Sequence, residues 1–227
     1  NDEGIVLAPT VAPSRRVDFY GDSDSAAFGV DGSSSSPLAC AAAVALGFGY
    51  ENFAHGWIHG VQQKLNLDVR VQAVSGIGVV VDAASEGATM PQLVRRTIQS
   101  VDLDDYAPRA WRPSLIVVYL GSNDYTLQLR PPSQQEFTRE YAALVNEILD
   151  QYPTPAPPVL HICGGERRPC DFISDYVRNA TNATYTTTGD TGVPKGGCVG
   201  HRNVTQQAQL AHFLAPVIAT AARWDSA

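Results

Sequence analysis

The sequence predicts a single α/β domain in which helices cover both faces of a parallel sheet. Short apolar segments typical of strands alternate with segments whose apolar residues recur every three or four positions, as on one face of a helix. The segment PSLIVVYLGSND, at 113–124, contains an uninterrupted apolar run and is expected to be a strand buried on both faces. The chain has 227 residues, of which 44% are hydrophobic, so it is long enough to bury one large core.

The N-terminal part of the chain begins with an arm and leads into the first strand. Residues 1–14 are polar and contain two prolines, which is typical of an arm or a linker remnant. The strand RVDFY at 16–20 ends at Gly21, and the Ser-rich stretch at 31–40 is expected to form a loop. A helix is predicted over 51–67, where five apolar residues share one face: Phe53, Trp57, Ile58, Val61 and Leu65.

The middle of the chain continues the alternation. The segment 68–76 alternates between apolar and polar residues and breaks at a glycine, which predicts a strand. A second amphipathic helix is predicted over 91–103, before the buried strand. Ser133 and Glu136 have the spacing of a capping box, so a helix is expected from there through Tyr152.

Two strands and a helix complete the pattern. The strands are predicted at 158–165 and 183–188, and a long final helix is predicted over 203–223. No internal repeat interrupts this order, so residues 15–227 are expected to form one domain.

The net charge of the chain and the length of its apolar stretches argue against two classes of partner. Sixteen basic and 23 acidic residues give a net charge of −7, which would repel a nucleic acid. The longest apolar stretch, ACAAAVALGFGY, is too short and too rich in glycine and alanine to span a membrane. We therefore expect neither nucleic-acid binding nor a membrane span. The expected oligomeric state is a monomer.

The cysteines and the glycosylation sequons favour a secreted protein. Four cysteines lack the paired C-x-x-C spacing typical of zinc sites, and their even number allows two disulfides. Such bonds persist in oxidising compartments. Three N-x-T sequons are candidate glycosylation sites: Asn179, Asn182 and Asn203. The expected location is extracellular.

Polar residues and glycines follow three of the predicted strands, in the segments 21–23, 75–78 and 121–124. Active groups of a parallel sheet gather where its strands end, so these segments are expected to lie together. Ser23 could attack an ester, while a backbone N–H at Gly76 and the amide of Asn123 could stabilise the resulting oxyanion. Each segment alone is more typical of an ordinary turn, so the signal lies in their combination and order.

A serine nucleophile requires a base, and His201 is the best candidate. It lies in the glycine-rich segment KGGCVGHRN, directly before the final helix. His161 and His212 have apolar neighbours and are expected to be structural. The pair His55 and His59 has a spacing that could bind a metal, but histidines on a helix surface are commoner, so neither a metal nor a cofactor is expected.

These segments resemble the four blocks of the GDSL/SGNH hydrolases, with GDS at Ser23, Gly76 in SGIG, Asn123 in GSND, and His201 before the last helix. The resemblance implies a three-layer α/β/α sandwich, flavodoxin-like, with a mostly parallel five-stranded sheet. It implies a Ser23 nucleophile and a His201 base. The implied oxyanion hole contains the backbone N–H groups of Ser23 and Gly76 and the side chain of Asn123.

The pattern GC-x-x-H, together with SGIGV and LGSND, is similar to carbohydrate esterase family two, which deacetylates sugars. This implies a secreted serine esterase that removes small acyl groups, above all acetyl, from an acylated carbohydrate through an acyl-Ser23 intermediate. A lipid or aryl esterase of the same fold is one alternative. A catalytically weak glycan-binding module is another.

Two positions depart from the family pattern. Many of these hydrolases have Asp three residues before the histidine, where this chain has Cys198, and the usual proline after the histidine is Arg202. Loss of the carboxylate of a serine triad lowers the rate by about 10⁴ when nothing else fixes the histidine tautomer. We therefore expect a main-chain oxygen of its own loop to orient His201.

The cysteines and three polar or aromatic residues complete the predicted site. Pairing Cys40 with Cys198 would join the loop after the nucleophile to the loop that carries the base. Cys163 and Cys170 would then pair, although Cys170 with Cys198 is also reasonable. The candidate substrate contacts are Asp124, Tyr125 and Trp57. Asp124 could instead cap its own turn, and core packing is the more frequent fate of such aromatic residues.

Overall fold

A computed structural model describes residues 11–32, 36–45, 50–83, 87–96, 111–126, 128–165, 167–193 and 195–224. Within these residues, five strands form one sheet in the order β2-β1-β3-β4-β5, and every neighbouring pair is parallel. The strands are β1 (Arg15–Gly21), β2 (Leu67–Ala73), β3 (Leu115–Tyr119), β4 (Val159–Cys163) and β5 (Ala183–Thr187). The predicted five-stranded parallel sheet is confirmed.

Helices flank this sheet in two layers. The described helices are α1 (Ser23–Ala26), α2 (Pro37–Ala45), α3 (Trp57–Leu65), α4 (Met90–Leu93), α5 (Gln134–Leu149), α6 (Arg167–Asn179) and α7 (Val204–Ala221). α3 and α7 pack on one face of the sheet, whereas α4, α5 and α6 pack on the other. The three-layer α/β/α sandwich is therefore confirmed.

The strand residues alternate between the two cores. Along β3, Leu115, Val117 and Tyr119 face the α3–α7 layer, whereas Ile116 and Val118 face the α4–α6 layer. All five are buried. The uninterrupted apolar run arises because a strand between two helical layers has no face toward water.

Several predicted elements differ from the structure. The loop expected at 31–40 is wrong over 37–40, because α2 begins at Pro37, where proline is favoured in the first turn of a helix; residues 33–35 lie outside the described residues. The helix expected over 51–67 is interrupted at Gly56, which separates a 3₁₀ turn at Phe53–His55 from α3. α6 has no counterpart among the predicted helices.

The helix predicted over 91–103 is only partly described. It is observed as the single turn of α4, and residues 97–103 lie outside the described residues. In the N-terminal arm, residues 11–14 have no strand or helix before β1, and residues 1–10 lie outside the described residues. Folding of 15–227 as one domain remains a prediction.

None of the helices in the described ranges combines the length and the apolar character needed to cross a bilayer.

His161 provides a first testable prediction. It is fully buried in β4, its Nδ1 lies 2.8 Å from the hydroxyl of Tyr141, and burial lowers its pKa to about 4. An unfolded histidine titrates near 6.5, so the fold favours the neutral ring. This stability is fully present above about pH 6.5 and is lost as the pH falls toward 4, by about 3 kcal/mol.

We expect His161→Gln to have a flatter dependence of unfolding free energy on pH than the wild type between pH 6.5 and 4. Urea unfolding at a series of pH values measures this dependence. An equally steep loss of stability in both proteins would contradict the assignment to His161.

Candidate active site

The register of the sheet brings three strand ends to one edge. Gly21 of β1 pairs with Ala73 of β2 and with Tyr119 of β3, so the loops that follow these strands begin side by side. The Nδ2 of Asn123 donates to the carbonyl of Ile77 at 2.8 Å and lies 3.4 Å from Oδ2 of Asp22. The predicted convergence of the three loops is therefore observed.

Ser23 lies at the start of α1, directly after β1. The side chain of Asp22 caps this helix by accepting a hydrogen bond from the Asp24 N–H at 3.0 Å. Ser23 is half-buried, and its Oγ lies 2.8 Å from Nε2 of His201, 178 residues away in the chain. A hydroxyl and an imidazole thus lie within hydrogen-bond distance at the carboxyl edge of the sheet.

The contacts of His201 define its tautomer. Its Nδ1 lies 3.1 Å from the carbonyl of Val199 and 3.3 Å from that of Cys198. A carbonyl only accepts hydrogen bonds, so Nδ1 carries the proton of the neutral ring and Nε2 faces Ser23 as an acceptor. The expected contact with a main-chain oxygen of the same loop is therefore present. In the described part of the chain, no carboxylate is hydrogen-bonded to Nδ1.

Two further contacts hold the loop of His201 against the loop after α1. The ring of Phe28 lies 4.8 Å from the imidazole, centroid to centroid. The N–H of Cys198 donates to the carbonyl of Gly29 at 3.2 Å. Gly29 has a φ of +73°, and a Cβ there would lie 2.6 Å from the carbonyl oxygen of Cys198, so only glycine permits this approach.

Both expected disulfides are present. Cys40 of α2 is bonded to Cys198, in the turn before His201, and Cys163 is bonded to Cys170. The first of these bonds joins α2 directly to the loop that carries the imidazole. The alternative pairing of Cys170 with Cys198 is excluded.

Asp124 supports the loop that carries Gly76. Its fully buried carboxylate accepts hydrogen bonds from the N–H groups of Val79, Val80 and Val81, at 2.9, 2.6 and 3.0 Å. Burial raises the pKa of Asp124, and these hydrogen bonds offset that effect only in part. The carboxylate faces inward rather than toward a substrate.

Replacement of Asp124 by asparagine tests this supporting role. An amide NH₂ would face a backbone N–H, so we expect Asp124→Asn to lower the free energy of unfolding by roughly 1–3 kcal/mol. We also expect a lower kcat, because the loop of Gly76 would shift. Denaturant unfolding and ester hydrolysis measure the two effects. Unchanged stability with a raised KM alone would instead indicate a substrate contact.

The other two candidate substrate contacts pack against other parts of the protein. Trp57 is fully buried, and its indole N–H donates to the carbonyl of Asp24 at 3.1 Å. Its ring therefore has no face open to a sugar. Tyr125 is half-buried and packs against Phe137 and Phe172, with ring centroids 5.4 and 6.0 Å away. These contacts do not support stacking of a sugar on either ring.

The remaining histidines do not form a metal site with each other. His55 Nδ1 lies 2.7 Å from Oδ1 of Asp31, whereas His59 Nδ1 lies 2.7 Å from the carbonyl of Ala54. Among the described residues, no group of three or more His, Cys, Asp or Glu is arranged to hold a metal ion. His212 lies exposed on α7, so the expectation that it is structural is not supported by burial.

The three sequons lie at or near the surface. Asn179 and Asn182 are exposed, whereas Asn203 is half-buried and its side chain caps α7 by accepting from the N–H of Gln206. Glycosylation remains a prediction.

One pair of charged residues in the site was not predicted from the sequence. Asp24 follows Ser23, and Arg202 follows His201; their side chains form a buried ion pair, with Nη1 3.0 Å from Oδ1. The only signal in the sequence was the presence of arginine where the family pattern has proline.

Comparisons with known proteins agree with the fold. A model of the GDSL-like lipase/acylhydrolase family matches residues 19–196. A search of curated protein sequences found no match. The fold is similar to a carbohydrate esterase family 2 enzyme with a carbohydrate-binding domain from Myceliophthora fergusii, with a TM-score of 0.80 at 24% identity, over 98% of this chain and 70% of that one.

Two bacterial structures are also similar. A family two carbohydrate esterase from Clostridium thermocellum, in complex with cellohexaose, has a TM-score of 0.77 at 19% identity, over 96% of this chain and 67% of that one. An acetyl xylan esterase from the rumen bacterium Butyrivibrio proteoclasticus has a TM-score of 0.75 at 15% identity, over 98% of this chain and 68% of that one. At these identities, the likeness establishes the fold.

Proposed function

Because the chain belongs to the GDSL-like lipase/acylhydrolase family and is a carboxylic ester hydrolase, we propose that it removes small acyl groups from carbohydrate. Acetyl is the preferred acyl group, and the reaction proceeds through an acyl-Ser23 intermediate. The two disulfides support an extracellular location, because such bonds persist in oxidising environments. The protein acts as a monomer.

The observation that carries the proposal is the 2.8 Å contact between Ser23 Oγ and His201 Nε2, with Nδ1 directed at carbonyls. In the proposed reaction, Nε2 accepts the hydroxyl proton as Oγ attacks the ester carbonyl. The same proton then passes to the leaving sugar oxygen. In the second half, His201 takes a proton from water as the water oxygen attacks the acyl carbon. The bond to Oγ then breaks, acetic acid leaves, and the imidazolium returns the proton to Oγ of Ser23.

The proposed oxyanion hole uses the N–H groups of Ser23 and Gly76 and one N–H of Asn123. Asn123 currently directs its Nδ2 at Ile77 and, at the longer distance of 3.4 Å, at Asp22. The longer hydrogen bond is the one that the oxyanion would replace. Each donor aimed at such a charge is typically worth roughly 2.7–4 kcal/mol in the transition state.

A groove along β2 and the end of α1 is the proposed position for the rest of the substrate. Its volume is about 500 Å³, and its lining residues are Ala26, Glu51, Phe53, Val69, Val71 and Ala73. Ala26 belongs to α1, and Ala73 is level with Gly21, so the groove borders the start of the Ser23 loop. The apolar side chains in this lining also favour a second candidate, an esterase for aryl or lipid esters.

Release of acetate from acetylated xylan and acetylated glucomannan, compared with hydrolysis of p-nitrophenyl acetate and p-nitrophenyl octanoate, tests the proposal. We expect acetate release from at least one polysaccharide and a preference for the acetate ester over the octanoate ester. A preference for octanoate with inert polysaccharides would favour the lipid esterase. Binding of the polysaccharides without turnover of any ester would favour a glycan-binding module.

A further inference from the structure

The residues that follow the nucleophile and the base are joined by a buried ion pair. The side chain of Asp24 is 5% exposed and that of Arg202 is 2% exposed, and Nη1 of the arginine lies 3.0 Å from Oδ1 of the carboxylate. Ser23 and His201 occupy the preceding positions in the two segments. The ion pair therefore connects the same two loops as the contact between Oγ and Nε2.

The ion pair belongs to a wider buried network. The hydroxyl of Tyr119, at the end of β3, donates to Oδ2 of Asp24 at 3.3 Å and lies 3.1 Å from Oγ1 of Thr188. Arg202 also donates to Oγ1 of Thr188, at 3.4 Å, and Lys195 Nζ lies 3.5 Å from Asp24 Oδ2. The network thus fixes α1 and the histidine loop to the ends of β3 and β5.

The electrostatics keep both partners charged. Burial raises the pKa of Asp24, but Lys195, Arg202 and His201 and the hydrogen bond from Tyr119 outweigh it, so the pKa lies below its ordinary value. Burial lowers the pKa of Arg202, but the charge of Asp24, the hydrogen bond to its carboxylate and the interactions with Tyr119 together outweigh burial and raise this pKa above its ordinary value. Asp24 is therefore an anion throughout the neutral range.

Stability alone is a weak reason for such a pair. Replacement of a buried ion pair by apolar residues is often neutral or stabilising, whereas removal of one partner leaves an uncompensated charge. A buried pair can instead specify one arrangement of the elements it joins. Here, that arrangement is the separation of Ser23 from His201.

We propose that Asp24 and Arg202 are positioning residues that hold Ser23 Oγ at Nε2 of His201, in a chain where Cys198 stands in place of the usual carboxylate. The carbonyls of residues 198 and 199 fix the rotation of the imidazole. They belong to its own loop, so they do not fix that loop relative to α1. The ion pair does so, because its two partners lie on the two loops.

Asp24 also places a negative charge toward the base. Among the described charged groups, Asp24 faces His201 from α1, and Arg202 and Lys195 face Asp24 from the segment before α7. Asp22 is directed toward Asn123 instead. Loss of Asp24 would remove an anion that interacts with His201 and leave the cations of Arg202 and Lys195 uncompensated, whereas loss of Arg202 would remove one of these cations. The two variants should therefore shift the acid limb of the kcat/KM profile in opposite directions.

The experiment compares Asp24→Asn, Arg202→Met, the double variant and Arg202→Lys with wild type. It measures kcat and KM for p-nitrophenyl acetate against pH, labelling of Ser23 by a fluorophosphonate, and thermal unfolding. We expect each single variant to lower kcat and the labelling rate by roughly 10²-fold with little change in KM, as for a small misplacement of reacting groups. The acid limb should move to lower pH in Asp24→Asn and to higher pH in Arg202→Met.

The double variant separates positioning from folding. It contains no unpaired buried charge, so we expect its thermal stability to recover while kcat stays low, and we expect Arg202→Lys to restore part of kcat. Arg95→Met, which breaks an exposed ion pair with Glu147, is the matched control and should leave kcat unchanged. Should the single variants fail to fold, the double variant and Arg202→Lys decide the question.

Recovery of kcat together with stability in the double variant would overturn the inference, as would acid limbs that do not move. The inference rests on the proposed function, but the two fail in different ways. If Ser23→Ala hydrolyses p-nitrophenyl acetate as fast as wild type, the proposed function fails. If Ser23→Ala is inactive while the Asp24 and Arg202 variants retain full kcat, only the positioning role fails.

Discussion

Replacement of Ser23 by alanine is expected to lower kcat for p-nitrophenyl acetate by roughly 10⁴–10⁶-fold. Loss of the nucleophile of a serine hydrolase removes the covalent route entirely and leaves only transition-state stabilisation by the remaining donors. Ser23 is half-buried and its side chain is small, so we expect thermal unfolding to change little. Initial rates, together with mass spectrometry of the peptide that contains Ser23 during turnover, measure the loss of activity and of the acetyl-enzyme.

Ser133→Ala is the matched control for this substitution. Ser133 caps α5 by accepting a hydrogen bond from the N–H of Glu136 at 3.2 Å, on the helical layer formed by α4, α5 and α6. Its loss should cost about 1 kcal/mol of stability and leave kcat unchanged. Persistent hydrolysis by Ser23→Ala, with no acetyl group on its peptide in the wild type, would exclude the acyl-serine mechanism.

Removal of the bond between Cys40 and Cys198 is expected to have the second largest effect. The two residues are 158 positions apart, so in the chain-entropy description their bond stabilises the fold by about 5 kcal/mol. The double variant Cys40→Ala/Cys198→Ala should also lose kcat by roughly 10-fold or more, because Cys198 lies in the turn whose carbonyl contacts the base. Thermal unfolding and ester hydrolysis measure both effects.

The second disulfide provides the comparison. Cys163 and Cys170 are only seven positions apart, so the corresponding entropic contribution is about 2.5 kcal/mol. We expect Cys163→Ala/Cys170→Ala to be the more stable double variant and to retain more activity. Equal losses of kcat in the two variants would argue against a specific link between the Cys40–Cys198 bond and the histidine loop.

The sequence was most informative where chemistry and topology coincide. Ser23, Gly76 and Asn123 each follow a strand of a parallel sheet, and parallel topology requires those ends to meet at one edge. His201 could be chosen from five histidines because its loop precedes the last helix. The main-chain orientation of its ring could be anticipated, because Cys198 is incapable of the role of an aspartate.

Other features depend on tertiary contacts that no local pattern contains. Trp57 was a plausible surface aromatic, yet its indole N–H reaches the carbonyl of Asp24 inside the core. Asp124 was expected to contact a sugar or to cap its own turn. Its carboxylate instead accepts hydrogen bonds from three backbone N–H groups of a loop more than 40 residues earlier in the chain. The Asp24–Arg202 pair joins positions 178 residues apart and was invisible for the same reason.

The wide separation of Ser23 and His201 has a consequence for biosynthesis. A ribosome completes β1 and α1 early, but the imidazole emerges only after all five strands have been made. If His201 is the base that activates Ser23, as proposed, the hydroxyl of a nascent chain stays inert until the segment before α7 has docked. Under the proposed mechanism, esterase activity therefore arises only at this late step, and an incomplete polypeptide does not hydrolyse esters.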